Sequence, residues 1–226
     1  MPSALLDGLG IIASYAFVCG LIAVATVLVR GHTLSARAAR KVIHVGVAHW
    51  WLLAMVTMDD PWVASVGPFS FIIINALALR FRLLPAMEAE GRNWGTVYFP
   101  VSLLLLVNLC WRHVMPTWVG AIAVLVLGWG DGLAALVGDR FNGWGFRIWG
   151  VRKTVAGSAA MLASSVVVIL VLTLVFNPRF PALLPAAGIS VLVAAGATIV
   201  EALTPLGIDN LTVPFACAAL YQGFFA

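Results

Sequence analysis

The sequence predicts an all-α, polytopic integral membrane bundle of seven or eight transmembrane helices. Three observations predict it. Hydrophobic residues fill 62% of the 226 positions and charged residues only 10%, whereas soluble domains run near half and a quarter. The mean hydropathy is +1.05. Apolar runs near the length of a bilayer crossing recur along the chain, with cations gathered in every second gap between them. At this length we expect one transmembrane domain over residues 1–226.

Taken in order, Leu9–Val29 is a clean first span. Met1–Asp7 before it has no basic region, and the run is too long for a signal-peptide core, so an uncleaved first helix is expected. Lys41–Met58 is the second span and contains His44 and His49. Pro61–Leu79 is the third, and Val97–Trp111, rather short, the fourth. Thr117–Val137 is the fifth and holds Asp131 near its end. Val155–Phe176 is the sixth, and Leu183–Ala202 the seventh, with Glu201 at its end. Leu211–Phe225 is short enough to be an eighth crossing or a half-span. Cys19, Cys110 and Cys217 all lie in apolar runs, odd in number and without a CxxC, which indicates neither a disulfide framework nor zinc.

The gaps set the orientation. Arg30, Arg37, Arg40 and Lys41 follow span one, Arg80, Arg82 and Arg92 follow span three, and Arg140, Arg147, Arg152 and Lys153 follow span five. The alternate gaps hold only Arg112 and Arg179 beside Asp59-Asp60. By the positive-inside rule the loops near 30–41, 80–96, 139–154 and 203–210 are cytoplasmic, and the N-terminus lies outside. The net charge of +4 reads as this bias plus contact with anionic lipid or phosphate. No basic stripe on a soluble face suggests nucleic acid.

Four polar constellations stand at the cytoplasmic level. Arg37, Lys41 and His44 share one helix face with Arg40 beside them. Arg30 and Arg37 suit interfacial anchors, while a histidine below Arg40-Lys41 is more than an anchor needs. Between residues 80 and 100, Glu88, Glu90, Arg92 and Asn93 precede Gly95 and Thr96, whose free amides and hydroxyl at a helix start suit an anion. His49 and His113 read as packing or interfacial residues.

The third constellation is Gly128–Ser158. A carboxylate at membrane depth costs roughly 2.5–3.5 kcal/mol, which makes Asp131 a functional candidate. Gly130 and Gly132 let another helix or a ligand approach it, and Gly138 lies two turns on, before Asp139. Asn142, Gly143 and Gly145 make a loop free to adopt positive φ. Arg152, Lys153 and Thr154 then lead into a helix with Gly157 and Ser158 in its first turn, a setting that attracts phosphate. The fourth is Glu201 to Pro214, where Glu201, Asp209 and Asn210 offer oxygen ligands suited to Mg²⁺. Asp139 joins Asp131, Glu201 and Asp209 as a metal candidate. No P-loop, protein-kinase motif set, nucleophile elbow or HExxH occurs.

These residues resemble the polytopic lipid-alcohol kinases, which include phytol kinase, dolichol or polyprenol kinase and CTP-dependent diacylglycerol kinase, and which are similar to the CDP-diacylglycerol synthases. The pattern is Arg40-Lys41-x-x-His44, Gly95-Thr96-x-Tyr98, Gly130-Asp131-Gly132 with Gly138, Lys153-Thr154-x-x-Gly157-Ser158, and Glu201 followed by Asp209-Asn210-x-x-Val213-Pro214. It covers about residues 37 to 215. The resemblance implies transfer of the γ-phosphoryl group of CTP, with Mg²⁺, to the hydroxyl of an isoprenoid alcohol or diacylglycerol. It implies that Arg40, Lys41, Asp131 and Gly138 are needed for activity and that Lys153 binds phosphate. Ala156 stands where family members often have an acid.

The expected partners are a membrane lipid substrate and a nucleoside triphosphate held by Lys153, Arg152, Arg40 and Lys41 at the cytoplasmic face. Asp131 is either the base for the substrate hydroxyl or a metal ligand. Two rival readings are a phosphatidate cytidylyltransferase-like enzyme, which would attack the α-phosphate, and a small transporter with Asp131 and Glu201 along an ion path. The clustering of charge on one side argues against the transporter. A homodimer is compatible with this reading.

Overall fold

The computed structural model describes residues 3–81, 94–141, 143–177 and 182–224. Arg82, Glu88, Glu90, Arg92, Asn93, Asn142 and Arg179, named above, lie outside the described residues. Numbered along the described residues, the helices are α1 Ser3–Arg30, α2 Ala36–Ala48, α3 Trp50–Thr57, α4 Pro61–Phe81, α5 Gly95–Trp111, α6 Thr117–Arg140, α7 Val155–Phe176, α8 Leu183–Leu203 and α9 Asp209–Gly223. Between α6 and α7 stand two short strands, β1 Gly145–Ile148 and β2 Val151–Thr154. Among the described residues five helices, α1, α4, α6, α7 and α8, are long and apolar enough to cross a membrane, and α5 is a shorter apolar helix. The chain divides into two compact units, Met1–Thr117 and Trp118–Ala226.

In the first unit, α1 packs against α2, α3 and α4, and α4 against α5. Ser35 starts α2 by accepting the Ala38 amide at 3.2 Å. Asp60 does the same for α4, accepting from Trp62 and Val63 at 2.7 and 3.1 Å, with Pro61 in the first helical position where its missing N–H costs nothing. Polar bonds join helices that apolar packing alone cannot align in lipid. Trp50 Nε1 donates to Ser14 Oγ at 2.8 Å, Tyr15 OH meets Ser70 Oγ at 2.7 Å, and Trp111 Nε1 donates to the Met58 carbonyl at 2.9 Å.

The expected second span is not one helix. It divides at His49 into α2 and α3. His49 Nδ1 takes the Val45 carbonyl at 2.9 Å, the group its own amide would bond in a continuous helix. The amide turns to the Gly46 carbonyl at 3.0 Å instead. A side chain competing with the backbone ladder accounts for the break.

In the second unit, α8 packs against both α7 and α9. The pairing of α6 with α7 rests on small residues. A Cβ on Gly157 would stand 2.7 Å from the Ala134 carbonyl oxygen, and one on Gly138 would stand 2.8 Å from Thr154 Oγ1. One on Gly130 would press on Met161 and Ser165 at 3.1–3.3 Å. Gly130, Ala134 and Gly138, at i, i+4 and i+8, thus form a groove for the start of α7. Helix α6 is buried continuously from Val119 to Gly128, which makes it the most enclosed of the five long apolar helices. Thr173 Oγ1 and Asn177 Nδ2 both reach Tyr221 OH, at 2.9 and 3.2 Å, tying the end of α7 to the end of α9.

Three boundaries depart from expectation. Helix α6 runs on past the apolar run's end at Val137 to Arg140, with Gly138 and Asp139 in its last turn as their spacing from Asp131 implies. Helix α9 begins at Asp209, which places Asp209 and Asn210 in its first turn rather than before it. The stretch around Gly143 and Gly145, expected as a free loop, is an antiparallel hairpin with Phe146 opposite Lys153 and Arg147 opposite Arg152. Its positive φ values fall at Trp149 and Gly150, not at Gly143 or Gly145.

The α6–α7 contact makes a prediction. Gly157→Ala drives a methyl group into backbone, which cannot swing aside, and should cost about 1–3 kcal/mol. Gly188→Ala on α8 meets nothing within 4 Å and should cost nothing. Thermal midpoints of the two purified variants in detergent test this, and equal midpoints would refute the close packing.

Candidate active site

Three carboxylates from separate parts of the second unit converge. Asp131, Glu201 and Asp209 each offer an oxygen within 4.8 Å of the other two. Asp131 comes from the middle of α6, flanked by buried Gly130 and Gly132. Glu201 sits near the end of α8 and is 3% exposed. Asp209 opens α9. The turn between α8 and α9 makes the last two adjacent. Leu206 and Gly207 both take positive φ, 59° and 83°, and so reverse the chain within a few residues. Asn210 fixes the result: its Nδ2 donates to the Gly207 carbonyl and to Asp209 Oδ1, both at 3.1 Å. Its amide also donates to Asp209 Oδ1, at 2.9 Å. Asn210 therefore positions Asp209 through both of its donors. Thr204 and Thr212, joined at 3.1 Å, close the same turn.

A cation completes the group. Lys153 on β2 makes an ion pair with Glu201, and both side chains are largely buried. Like charges brought this close repel, and a cation among them lowers that cost. The hairpin aims Lys153. Successive strand residues point to opposite faces, so Lys153 faces the carboxylates while Arg152 faces away, exposed, with Nη2 donating to the Gly143 carbonyl at 3.1 Å. Thr154 next to it is the N-cap of α7, its hydroxyl accepting the Gly157 amide at 3.1 Å. Ser158 follows in the first turn of α7.

A divalent cation fits the donor set. All three ligands are hard oxygens, the class that Mg²⁺ and Ca²⁺ take. At a bond length of about 2.1–2.4 Å, ligands on opposite sides of one ion stand about 4–5 Å apart, which matches the observed spread.

Asp139 is exposed in the last turn of α6, eight residues and about 12 Å along the helix from Asp131, and is not among the three. Arg40, Lys41, His44 and Thr96 belong to the first unit. The His44 ring lies 4.7 Å from that of Phe99, and the Thr96 carbonyl accepts from Asn75 Nδ2 at 2.7 Å. Thr96 Oγ1 is buried with no hydrogen-bond partner among the described residues.

Known proteins similar to the chain share one name. It is 35% identical over 187 residues to the phytol kinase of Synechocystis sp., covering 82% of this chain and 78% of that protein. The chain belongs to the phytol kinase family. It is also 30% identical over 196 residues to a probable chloroplastic phytol kinase of Triticum aestivum, covering 79% and 64%. With a probable phytol kinase 2, chloroplastic, of Glycine max it shares 28% over 226 residues, covering 95% and 75%. No family model and no solved structure matches the chain. Membership makes it a lipid-alcohol kinase, in agreement with the resemblance read from its motifs.

Sequence reasoning missed two features of this family member's site. The hairpin was signalled by Phe-Arg-Ile, then Trp-Gly, then Val-Arg-Lys, two short runs separated by two residues. The lack of an Asn-Gly or Asp-Gly turn hid it. The second is the anchoring of Asp209 by Asn210, since two neighbours in a polar turn give no signal of which one ligates and which one supports.

The ion pair is testable. Lys153→Gln leaves a buried carboxylate without its cation and should lower stability by on the order of 3 kcal/mol. In a double-mutant cycle with Glu201→Gln, the double variant should lose much less than the sum of the two single losses. Strict additivity of the unfolding midpoints would show that the pair does not form.

Proposed function

We propose that the chain is a magnesium-dependent kinase that transfers the γ-phosphoryl group of CTP, or of another nucleoside triphosphate, to the hydroxyl of an isoprenoid alcohol at the cytoplasmic face of the membrane. The observation that supports it best is the meeting of Asp131, Glu201, Asp209 and Lys153 at one point. The names of its relatives favour phytol over a polyprenol or diacylglycerol as acceptor.

Phosphoryl transfer asks mainly for positioning and charge neutralisation. Asp131, Glu201 and Asp209 would hold Mg²⁺, which when bound supplies charge to the triphosphate oxygens. Lys153 supplies a further positive charge on the hairpin side and holds a phosphate oxygen. The alcohol oxygen attacks the γ-phosphorus, the bond from that phosphorus to its bridging oxygen breaks, and a nucleoside diphosphate leaves. The hydroxyl proton goes to a carboxylate oxygen of Asp131 or to water. Asn210 keeps Asp209 in place through the cycle. On their residue pattern alone, Arg40 and Lys41 of the first unit are also held necessary.

Two outcomes are expected. Purified chain given γ-labelled CTP and phytol should yield a labelled lipid phosphate, with less product from a long polyprenol or diacylglycerol. Label entering the lipid from α-labelled CTP would contradict the kinase reading and favour a cytidylyltransferase. Asp131→Asn should reduce kcat at least about a hundredfold with an unchanged gel-filtration profile, and wild-type kcat in that variant would remove Asp131 from the mechanism.

A further inference from the structure

The hairpin that aims Lys153 inward carries an outer surface the kinase reading does not use. Arg147 and Arg152 are directly opposed in the strand register, so both guanidinium groups stand on one face. Like charges so placed destabilise a two-stranded ribbon. Among the described residues neither has an ion-pair partner, and Arg152 has only the Gly143 carbonyl. No acidic residue occurs between Arg140 and Ser158 to offset them.

The connection between α6 and α7 that contains the hairpin also exposes aromatic residues. Trp144 is 90% exposed, Trp149 79% and Phe141 63%. Trp149 also occupies the wrong place for its type. With Gly150 it forms the two-residue turn, at φ 51° and 79°, a turn that ordinarily takes Asn-Gly. A bulky residue held at positive φ is strained, and a tryptophan left in water gains nothing from the hairpin in return. A partner that takes up the exposed ring would offset both terms.

We propose that the hairpin 145–154 docks on the anionic lipid headgroups of the membrane the chain crosses. Its tip tryptophan lies in the interfacial layer, and the Arg147–Arg152 pair holds lipid phosphate. The place is right, because the fourteen residues 141–154 join two helices that are each long and apolar enough to cross a membrane. A four-residue strand reaches only about 13 Å, so the hairpin stays beside the surface. Charge complementarity selects the occupant: cations beside a bilayer attract anionic lipid, and tryptophan prefers the headgroup level. Docking on one face of β2 steadies Lys153 on the other. This assigns Arg152 to lipid phosphate in place of the nucleotide.

The test uses the full chain in vesicles of phosphatidylcholine, with or without phosphatidylglycerol. Trp149 is isolated as the fluorescence difference between the parent and Trp149→Phe. Anionic lipid should shield it from acrylamide and expose it to quenching by brominated lipid, and high salt should weaken the effect. Arg147→Gln should reduce the docked-to-undocked ratio about fivefold. Trp149→Asn, the better turn residue, should unfold no more easily in detergent, yet Trp144 should then lose its lipid quenching. Equal acrylamide access in both vesicles would overturn the proposal. So would shielding that appears with CTP and magnesium but not with anionic lipid, which would return Arg152 to the nucleotide.

Discussion

Three carboxylates within 4.8 Å of one another repel, and the rest of the second unit is arranged to hold them there. In water such a group would separate. Inside a helical bundle it stays only if each backbone that carries it is fixed and if positive charge is supplied. Lys153 supplies one charge by pairing with Glu201. A divalent cation, proposed for the working enzyme, is the partner the donor set suits best.

Four structural features of the unit serve that constraint. The small residues Gly130, Ala134 and Gly138 allow α7 to lie against α6, which sets the end of the hairpin at Thr154 beside Gly138 and lets Lys153 reach Glu201. The reversal at Leu206-Gly207 sets the end of α8 beside the start of α9, so Glu201 and Asp209 face the same point. Asn210 spends its donors on the Gly207 carbonyl and Asp209, removing the freedom an exposed aspartate would otherwise have. The strand alternation of β2 sends Lys153 inward and Arg152 outward, so one short element serves two surfaces.

Much of this was legible in the sequence because two strong signals coincide there. Apolar runs give membrane helices almost directly, and α7 has the bounds its run predicts, Val155–Phe176. Charged residues in an apolar chain are few, so Asp131, Lys153, Glu201 and Asp209 stood out before any fold was known. What stayed hidden depends on local competition or on tertiary distance. His49 breaks its helix by taking the Val45 carbonyl, which no periodicity reveals. The hairpin uses Trp-Gly where a standard turn would read Asn-Gly. Asp139 looked as suitable a ligand as Asp209, and only the path of α6 shows that it lies two turns further along an exposed end.

The account rests on the carboxylates acting together as one cation site. Mn²⁺ titration followed by electron paramagnetic resonance, on purified chain without nucleotide, reads this directly. The account predicts one Mn²⁺ held per chain, with affinity falling sharply in Glu201→Gln and in Asp209→Asn and unchanged in Asp139→Asn. Mn²⁺ bound equally well by the parent and by the Glu201 and Asp209 variants would contradict it.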